Sequence, residues 1–287
     1  MVVGPTASGK TAYAIRAAKE SGAEIVSADS VQIYRHMDIG AAKSTLGERE
    51  GIPHHMVDVA DPDERFSVAD YQHMANECID EILLRGMKVI VAGGTGLYIS
   101  ALINNIKYPD FAADLNYREK LEREADSGGL ANLHKTLAQV DQTAARKIHV
   151  NDRKRVIRAL EVYHTTGRTI SEHESVSRLK PPKHRYKIIG LDVPRYELYR
   201  RIEARVDMML ASGLVEEARS LFERYGANGA LTTAIGYKEL LPYFNGECTL
   251  PEASIRIKTH TRRYAKRQLT WFRNMSDITW ITWINSI

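Results

Sequence analysis

Cysteine is scarce in this sequence: Cys78 and Cys248 are the only two among 287 residues, and no Cys-x-x-Cys pair occurs. A disulfide framework or a cysteine-based zinc site is therefore not expected, and a reducing compartment fits. No apolar run approaches the roughly 20 residues that a membrane-spanning helix needs, and no signal-peptide pattern is found. These absences predict a cytoplasmic protein that does not associate with membranes.

Acidic residues are missing from the most basic stretch of the chain, although the net charge of the whole sequence is only +4. Residues 256–273 hold seven Lys or Arg and no Asp or Glu, and residues 152–158 form a second basic cluster. One such cluster is commonly a solvated helix face. Two clusters, the longer of them without compensating acids, favour a polyanionic partner, and nucleic acid is the leading candidate.

The pattern of residues 1–105 is that of alternating strands and helices. Short apolar segments at 24–28 and 88–92 are predicted strands, and the apolar residues of segment 68–85 recur with the period of a helix. Such alternation predicts a parallel sheet covered by helices. Only three residues precede the first glycine-rich loop, so we expect a shortened first strand.

The residue composition and the secondary-structure pattern change near residue 109. Residues 114–177 are polar, rich in helical patterns and poor in strands, and a strand pattern returns at 186–193. We therefore predict an α/β fold with a P-loop-type parallel sheet core flanked by helices and an inserted all-helical domain. The predicted core comprises residues 1–109 and 184–287, and the predicted insertion comprises residues 110–183.

Near its start the chain fits the pattern G-x-x-x-x-G-K-[ST] of phosphate-binding loops. The loop residues are Gly4, Pro5, Thr6, Ala7, Ser8, Gly9, Lys10 and Thr11. The glycines allow several backbone amides to face one anion, Lys10 adds a positive charge, and Thr11 offers a hydroxyl ligand to Mg²⁺. The helix that follows directs its positive end to the same place. The motif predicts a di- or triphosphate site with Mg²⁺ bound at Thr11.

Two further segments are expected beside this loop, because ligands of doubly wound sheets bind at the carboxyl ends of the strands. Asp29 and Ser30 follow the strand at 24–28, and Gly-Gly-Thr-Gly at 93–96 follows the strand at 88–92. A carboxylate at Asp29 can bind Mg²⁺ through water or take a proton from a nucleophile. The alternatives are a turn or helix-capping role for Asp29 and a tight turn without substrate contact at 93–96.

No acid follows the strand at 88–92. Motor and hydrolytic NTPases usually hold magnesium with an acid at the end of such a strand. Its absence disfavours an ATPase motor and favours a small-molecule kinase or another reaction in which a phosphate group leaves.

Together with the phosphate loop, several sequence blocks resemble the tRNA dimethylallyltransferase family, the tRNA isopentenyltransferases of the bacterial type. They occur in the family's order over nearly the whole chain, at residues 4–11, 29–34, 37–43, 51–55, 93–98, 151–161, 234–239 and 264–272. The resemblance implies that the exocyclic amine of the adenosine 3′ of the tRNA anticodon attacks dimethylallyl diphosphate. Diphosphate is then released.

The resemblance also implies roles for particular residues. Lys10, Thr11 and the rest of the loop would bind the diphosphate and Mg²⁺, and Asp29 would be the general base. The tRNA anticodon stem-loop would be gripped by the helical insertion and by two basic segments. The implied tRNA contacts are Asp29, Ser30, Val31, Gln32, Thr95, Lys154, Arg155, Val156, Ile157, Arg158, Arg263, Lys266, Arg267 and Gln268.

One position departs from the family pattern, since Thr233 stands where many members have an Arg or Gln. In members with Arg that side chain helps bind the diphosphate, so here the role is vacant or passes to another residue. The sequence does not indicate which residues line a prenyl pocket.

Three other functions remain to be weighed: a P-loop small-molecule kinase that uses ATP, an adenine-nucleotide isopentenyltransferase, and a non-catalytic RNA-binding module. The helical insertion and the basic clusters disfavour the first two, and a complete loop followed by Asp29 disfavours the third. We expect a monomer.

Overall fold

The computed structural model describes residues 1–106, 114–177 and 181–282. The chain forms two compact units, one made of Met1–Ala101 and His184–Ile287 and the other of Leu102–Lys183. The predicted first residue of the insertion, residue 110, lies outside the described residues.

Within the described residues, the first unit contains a six-stranded sheet in which every pairing is parallel. The strands are β1 (Val2–Val3), β2 (Ala23–Ser27), β3 (His54–His55), β4 (Lys88–Gly93), β5 (Ile188–Asp192) and β6 (Ile278–Thr282). Their order is β3-β2-β4-β1-β5-β6. β1 is short, as expected, yet it lies inside the sheet, where Val2 pairs with Ala92 and Ile189. The predicted P-loop-type α/β fold is confirmed.

The described residues of the two units also form helices. In chain order they are α1 (Lys10–Ser21), α2 (Val68–Leu84), α3 (Gly96–Asn104), α4 (Leu115–Glu124), α5 (Leu130–Val140), α6 (Gln142–Lys147), α7 (Arg153–Thr166), α8 (Ile170–Ser177), α9 (Arg195–Ala211), α10 (Leu214–Tyr225), α11 (Leu241–Phe244) and α12 (Leu250–Arg273). Capping boxes begin two of them, with Ser67 before α2 and Thr249 before the 24-residue α12. Each box satisfies backbone amides that the first turn leaves without partners.

The two edge strands, β3 and β6, were not predicted from the sequence. β3 has only two residues, too few for a strand pattern, and its side chains are half-buried. β6 is also only partly buried along its length. Edge strands have fewer neighbours than inner strands, so their apolar pattern is weak.

The ends of β2 and β4 approach each other closely. A Cβ atom at Gly93 would overlap the backbone of Ala28, so only glycine fits there. The amide of Thr95 donates a hydrogen bond of 3.1 Å to the carbonyl oxygen of Ala28. This contact brings the loop after β4 beside Asp29, at the carboxyl edge of the sheet.

The second unit has helices α4 to α8 around a small apolar core. Leu133, Leu137, Val156, Ile157 and Leu160 are among its buried residues. Tertiary burial of one apolar face stabilises such short helices more than their intrinsic propensity does. The described part of the inserted segment is helical, as predicted.

No helix among the described residues is both long and apolar enough to span a lipid bilayer.

Candidate active site

The phosphate-binding loop joins β1 to α1 and has the conformation that its glycines allow. Gly4 and Gly9 have φ angles of 152° and 87°, which residues other than glycine rarely adopt. The Ser8 hydroxyl is buried and has no hydrogen-bonding partner among the described residues. A buried polar atom without a partner is costly, and an anion held in the loop would provide one.

Lys10 is the first residue of α1, and its Nζ donates a hydrogen bond of 2.6 Å to the carbonyl oxygen of Pro5. Burial lowers the pKa of Lys10 to about 8; Asp29 opposes this shift and Arg205 adds to it. The ammonium group is therefore influenced by one charge of each sign. A bound anion would stabilise its protonated form.

Asp29 lies just after β2, as predicted, and the two oxygens of its carboxylate have different surroundings. Oδ1 accepts hydrogen bonds from the amides of Val31, at 2.9 Å, and Gln32, at 3.4 Å. This is the turn geometry that aspartate commonly adopts. Oδ2 has no hydrogen bond among the described residues, and Asp29 lines a cavity. The turn therefore fixes the carboxylate and leaves one oxygen for chemistry.

Gln268 of α12 ties the phosphate loop to the end of β4. Its Oε1 accepts a hydrogen bond of 2.8 Å from the amide of Thr6, and its Nε2 donates one of 2.9 Å to the carbonyl oxygen of Gly94. A Cβ atom at Gly94 would overlap this amide group. The buried side chain of Gln268 thus has partners within the chain on both of its polar atoms.

Thr95 and Tyr264 continue this network towards Asp29. Thr95 Oγ1 accepts a hydrogen bond of 2.9 Å from the amide of Ser30. Tyr264 hydrogen-bonds with the side chains of Thr95 and Gln268, and burial together with the charge of Asp29 raises the pKa of its phenol to about 12. The phenol therefore remains protonated at neutral pH.

A cavity of about 460 Å³ lies next to this network, and every residue that lines it belongs to the first unit. Its polar lining includes Thr6, Asp29, Ser30, Arg205, Thr233, Tyr264 and Arg267. Its apolar lining includes Val31, Phe66, Ile202, Val206, Met209 and Ile257. A volume of this size is typical of small-molecule sites, in which apolar walls carry a few polar groups.

The loop after β2 forms another part of the wall, and Glu217 of α10 holds it. The Glu217 carboxylate accepts hydrogen bonds from the amides of Asp38, Ile39 and Gly40, at 2.8 to 3.1 Å, and one of 2.6 Å from the Tyr237 hydroxyl. A Cβ atom at Gly40 would lie 2.5 Å from the Tyr237 ring. Gly40 itself lines the cavity, so Glu217 positions this wall.

We expect the Glu217→Gln substitution to lower the free energy of unfolding by about 2 kcal/mol, since an amide nitrogen would replace an acceptor facing several N–H or O–H donors. Urea titration measures this change. Glu216→Gln, at the exposed neighbouring position, is the matched control and should change the value by less than about 0.5 kcal/mol. Equal effects of the two substitutions would contradict the assigned role of Glu217.

Six of the seven Lys and Arg residues in segment 256–273 form two groups. Lys258 pairs with Asp207 at 2.6 Å, Arg262 pairs with Glu203, and Arg273 lies 3.6 Å from Asp192. The predicted tRNA contacts Arg263, Lys266 and Arg267 are exposed instead, and their side chains form no ion pair with any described residue. Their charges remain available to a polyanion.

The predicted tRNA contacts on α7 lie in the second unit. Lys154 and Arg155 are exposed, and Arg158 pairs with the buried Glu161 at 2.9 Å. Val156 and Ile157 have their side chains in the apolar core of this unit. Contacts to tRNA from these last two positions would therefore have to come from their backbone.

The structure thus brings several predicted site residues together in the first unit. Thr6, Asp29, Ser30, Val31 and Arg267 line one cavity. Thr95 and Gln268 are hydrogen-bonded to residues of this group. Gln32 turns its side chain away to hydrogen-bond with Ser27, Ala41 and Ala42.

Sequence reasoning missed the cavity residues of α9. Ile202, Val206 and Met209 were recognisable as the apolar face of a helix, but a face of this kind usually packs in a core. Arg205, on the same side of α9, gave no separate signal. The sequence could show the periodic face but not the cavity onto which it opens.

Fold and site together define the class: an α/β protein with a P-loop, in which the loop, a fixed carboxylate and an apolar wall share one cavity. The family model described as IPP transferase matches residues 32–275. The chain belongs to the IPP transferase family. The predicted family and the predicted enzyme class, a prenyltransferase, are confirmed.

Relatives and solved structures agree with this assignment. A protein named tRNA dimethylallyltransferase from Acetivibrio thermocellus is 50% identical to this chain, and the match covers 98% of this chain and 90% of the relative. A protein of the same name from Shouchella clausii is 49% identical, and the match covers 97% of this chain and 89% of the relative. The full-length tRNA isopentenylpyrophosphate transferase of Bacillus halodurans is 45% identical, with a TM-score of 0.72, and 98% of this chain and 88% of that one are covered. A eukaryotic dimethylallyltransferase acting on tRNA is 31% identical, with a TM-score of 0.81. The match covers 98% of this chain and 72% of that one.

Proposed function

We propose that this protein transfers the dimethylallyl group of dimethylallyl diphosphate to the exocyclic amine of the adenosine 3′ of the anticodon in tRNA. The observation that carries the proposal is the single cavity shared by the phosphate loop, Asp29 and an apolar wall. The names of the close relatives support the same reaction. A kinase or a nucleotide prenyltransferase would leave the exposed cations of α12 without a role.

The loop and Asp29 have separate roles in this reaction: the loop binds the leaving group, and Asp29 takes the proton. The amine nitrogen attacks the allylic carbon, the bond from that carbon to the diphosphate oxygen breaks, and its electron pair leaves with the diphosphate. Backbone amides of the loop and Lys10 stabilise the charge that develops on the leaving group. The amine proton passes to the free oxygen of Asp29, whose position is fixed by the turn at Val31.

The apolar part of the cavity would hold the five-carbon chain. Ile202, Val206 and Met209 present one face of α9 to it. This wall excludes water from the allylic carbon, so the amine can attack without competition from hydrolysis. Holding both reactants in this orientation also compensates for the poor nucleophilicity of an aromatic amine.

The loop residues fit a magnesium ion that arrives with the diphosphate. Among the described residues, no group of three or more His, Cys, Asp or Glu could hold a metal by itself. The exposed Thr11 hydroxyl and the diphosphate oxygens are the hard donors that Mg²⁺ prefers. Mg²⁺ held at Thr11 would supply further charge neutralisation to the leaving group.

The tRNA would bind through its phosphates and through the modified base. Arg263, Lys266 and Arg267 lie on α12, and Arg267 also lines the cavity. Lys154 and Arg155 are the corresponding exposed cations of the second unit. The target adenine has to leave its stack to reach Asp29, as enzymes that modify bases generally require. We also propose that the protein acts in the cytoplasm, and as a monomer because one chain supplies the whole cavity.

One incubation distinguishes the candidate reactions. The protein receives labelled dimethylallyl diphosphate, differently labelled ATP, Mg²⁺, unmodified tRNA and AMP. We expect the prenyl label to appear in tRNA alone, at the adenosine 3′ of the anticodon. Prenyl transfer to AMP but not to tRNA would support a nucleotide prenyltransferase, and phosphate transfer from ATP without prenylation would overturn the proposal.

A further inference from the structure

One wall of the cavity is formed by backbone without regular secondary structure. It belongs to the connection between α10 and α11, residues 226–240, which the structure describes throughout and which contains neither a helix nor a strand. The residues that form this 233–238 wall are Thr233, Ala234, Ile235, Gly236 and Lys238. Backbone that lacks the repeating hydrogen bonds of a helix or strand depends on other contacts for its shape.

Glu239 directly follows the 233–238 wall and holds it through a buried carboxylate. The side chain of Glu239 is only 2% exposed. Its Oε2 accepts a hydrogen bond of 2.8 Å from the amide of Gly236, and the Lys238 ammonium lies 3.8 Å from its Oε1. One carboxylate therefore contacts two of the residues that line the cavity.

His260 of α12 is a further partner of Glu239. Nδ1 of its ring lies 2.6 Å from Glu239 Oε1, and since a carboxylate accepts hydrogen bonds, Nδ1 carries the proton and donates it. The helix that bears His260 lines the same cavity with Ile257, Thr261, Tyr264 and Arg267. The pair of Glu239 and His260 therefore links the irregular wall to a long helix of the site.

The chemistry of this pair suits positioning better than stabilisation. A buried carboxylate contributes little net stability, because its lost hydration offsets much of the gain from its partners. It does impose direction, since hydrogen bonds weaken steeply when they are misaligned. Oε2 of Glu239 fixes the amide of Gly236, and Oε1 fixes the ring of His260. The two oxygens together determine where the wall lies relative to α12.

We propose that Glu239 and His260 are positioning residues for prenyl transfer, which hold the 233–238 wall in the arrangement that the two reactants need. The proposal rests on the proposed function, because it concerns the cavity in which that reaction takes place. Glu239 and His260 do not themselves line the cavity, so they act through the wall. Misplacement of a substrate-positioning surface by about 1 Å can reduce a rate by about 10²-fold.

The test compares Glu239→Gln, His260→Leu and the double variant Glu239→Gln/His260→Leu with the wild-type protein. Glutamine has a single acceptor oxygen, so it cannot accept from both Gly236 and His260. His260→Asn is the conservative variant, because its side-chain amide can donate to Glu239 in place of Nδ1. His73→Leu and Glu77→Gln are the matched controls, since these residues form an exposed histidine–glutamate pair on α2.

Two kinds of measurement are needed. Transfer of the labelled prenyl group to tRNA gives kcat and the KM of each substrate, at a temperature well below the melting temperature of every variant. Hydrogen–deuterium exchange of peptides that cover residues 229–240 reports on the wall without depending on the reaction.

We expect Glu239→Gln and His260→Leu each to reduce kcat by about 10- to 100-fold, with either KM changed by less than about threefold, because the groups that contact the substrates are still present. The double variant should lose no more than about twofold beyond the more impaired single variant, since the two side chains act as a unit. His260→Asn should retain kcat within about threefold of wild type, because it keeps the hydrogen bond.

The exchange measurement should agree with the kinetics. Amides of the 233–238 wall should exchange faster in Glu239→Gln and His260→Leu than in the wild-type protein, because the wall has lost a contact that holds it. The variants His73→Leu and Glu77→Gln should change neither kcat nor exchange in this segment.

Two results would overturn the proposal. The first is wild-type kcat in a Glu239→Gln protein that is merely less stable, which would leave the carboxylate with a structural role alone. The second is an equal loss of kcat in His260→Asn and His260→Leu, because the hydrogen bond to Glu239 would then not be what matters. Failure of the proposed function is a separate observation: the wild-type protein would transfer no prenyl group, whereas hydrogen exchange would still show whether the pair holds the wall.

Discussion

Replacing Asp29 with asparagine should reduce the rate of prenyl transfer by about 10²- to 10⁴-fold, the usual contribution of a general base. Asparagine keeps an oxygen that can accept the hydrogen bonds of the Val31 and Gln32 amides. The turn therefore persists, and the main loss is the ability to accept the amine proton. Single-turnover transfer to unmodified tRNA, with enzyme in excess, measures the chemical step without product release.

The control for this prediction is Asp63→Asn, which removes a carboxylate from an exposed position. It should leave the single-turnover rate unchanged, and neither variant should change tRNA binding by more than about twofold. A folded Asp29→Asn protein with the wild-type rate would show that Asp29 serves only the turn. Loss of tRNA binding in this variant would point to a binding role instead.

Replacing Lys10 with methionine should reduce kcat by about 10²- to 10³-fold and weaken diphosphate binding, because the leaving group loses a preorganised cation. Methionine preserves the apolar part of the buried side chain. The substitution also removes the hydrogen bond from Lys10 to Pro5, and the only group that loses a partner is the carbonyl group of Pro5 in the loop itself. Lys19→Met, on the same helix and half exposed to solvent, is the matched control and should retain wild-type kcat.

The lowered pKa of Lys10 also predicts how diphosphate binding depends on pH. Its pKa is about 8 in the free protein, and the protonated form binds the anion. The ratio of the association constants of wild type and Lys10→Met cancels the ligand's own titration. This ratio should be constant below about pH 8 and fall as the pH rises further, by up to about tenfold per unit. A ratio that stays constant up to about pH 10 would contradict a depressed pKa at Lys10.

The phosphate loop could be predicted because its chemistry is local in the sequence. Gly4, Gly9, Lys10 and Thr11 lie within eight consecutive residues, and their spacing alone determines a backbone that faces an anion. Asp29 required one further rule, that parallel strands end at the same edge of a sheet. The close approach of Gly93 to Ala28 shows why that rule holds here.

The charged surface was only partly predictable. The sequence showed a basic run at residues 256–273 but not which of its cations were free. α9 neutralises Lys258 and Arg262 through Asp207 and Glu203, whereas Arg263, Lys266 and Arg267 face solvent. The helical period divides one run into two faces, and the neighbouring helix decides which face is neutralised.

By itself, the sequence determined the P-loop, the carboxylate after β2, the alternating α/β core and the family, because each can be recognised from short blocks of neighbouring residues. The tertiary structure decided the rest of the site. Gln268 meets Thr6 across 262 residues, Glu217 holds a loop that begins at Asp38, and Arg205 joins the cavity through α9. These contacts depend on how helices pack against the sheet, and packing leaves no fixed spacing in a sequence.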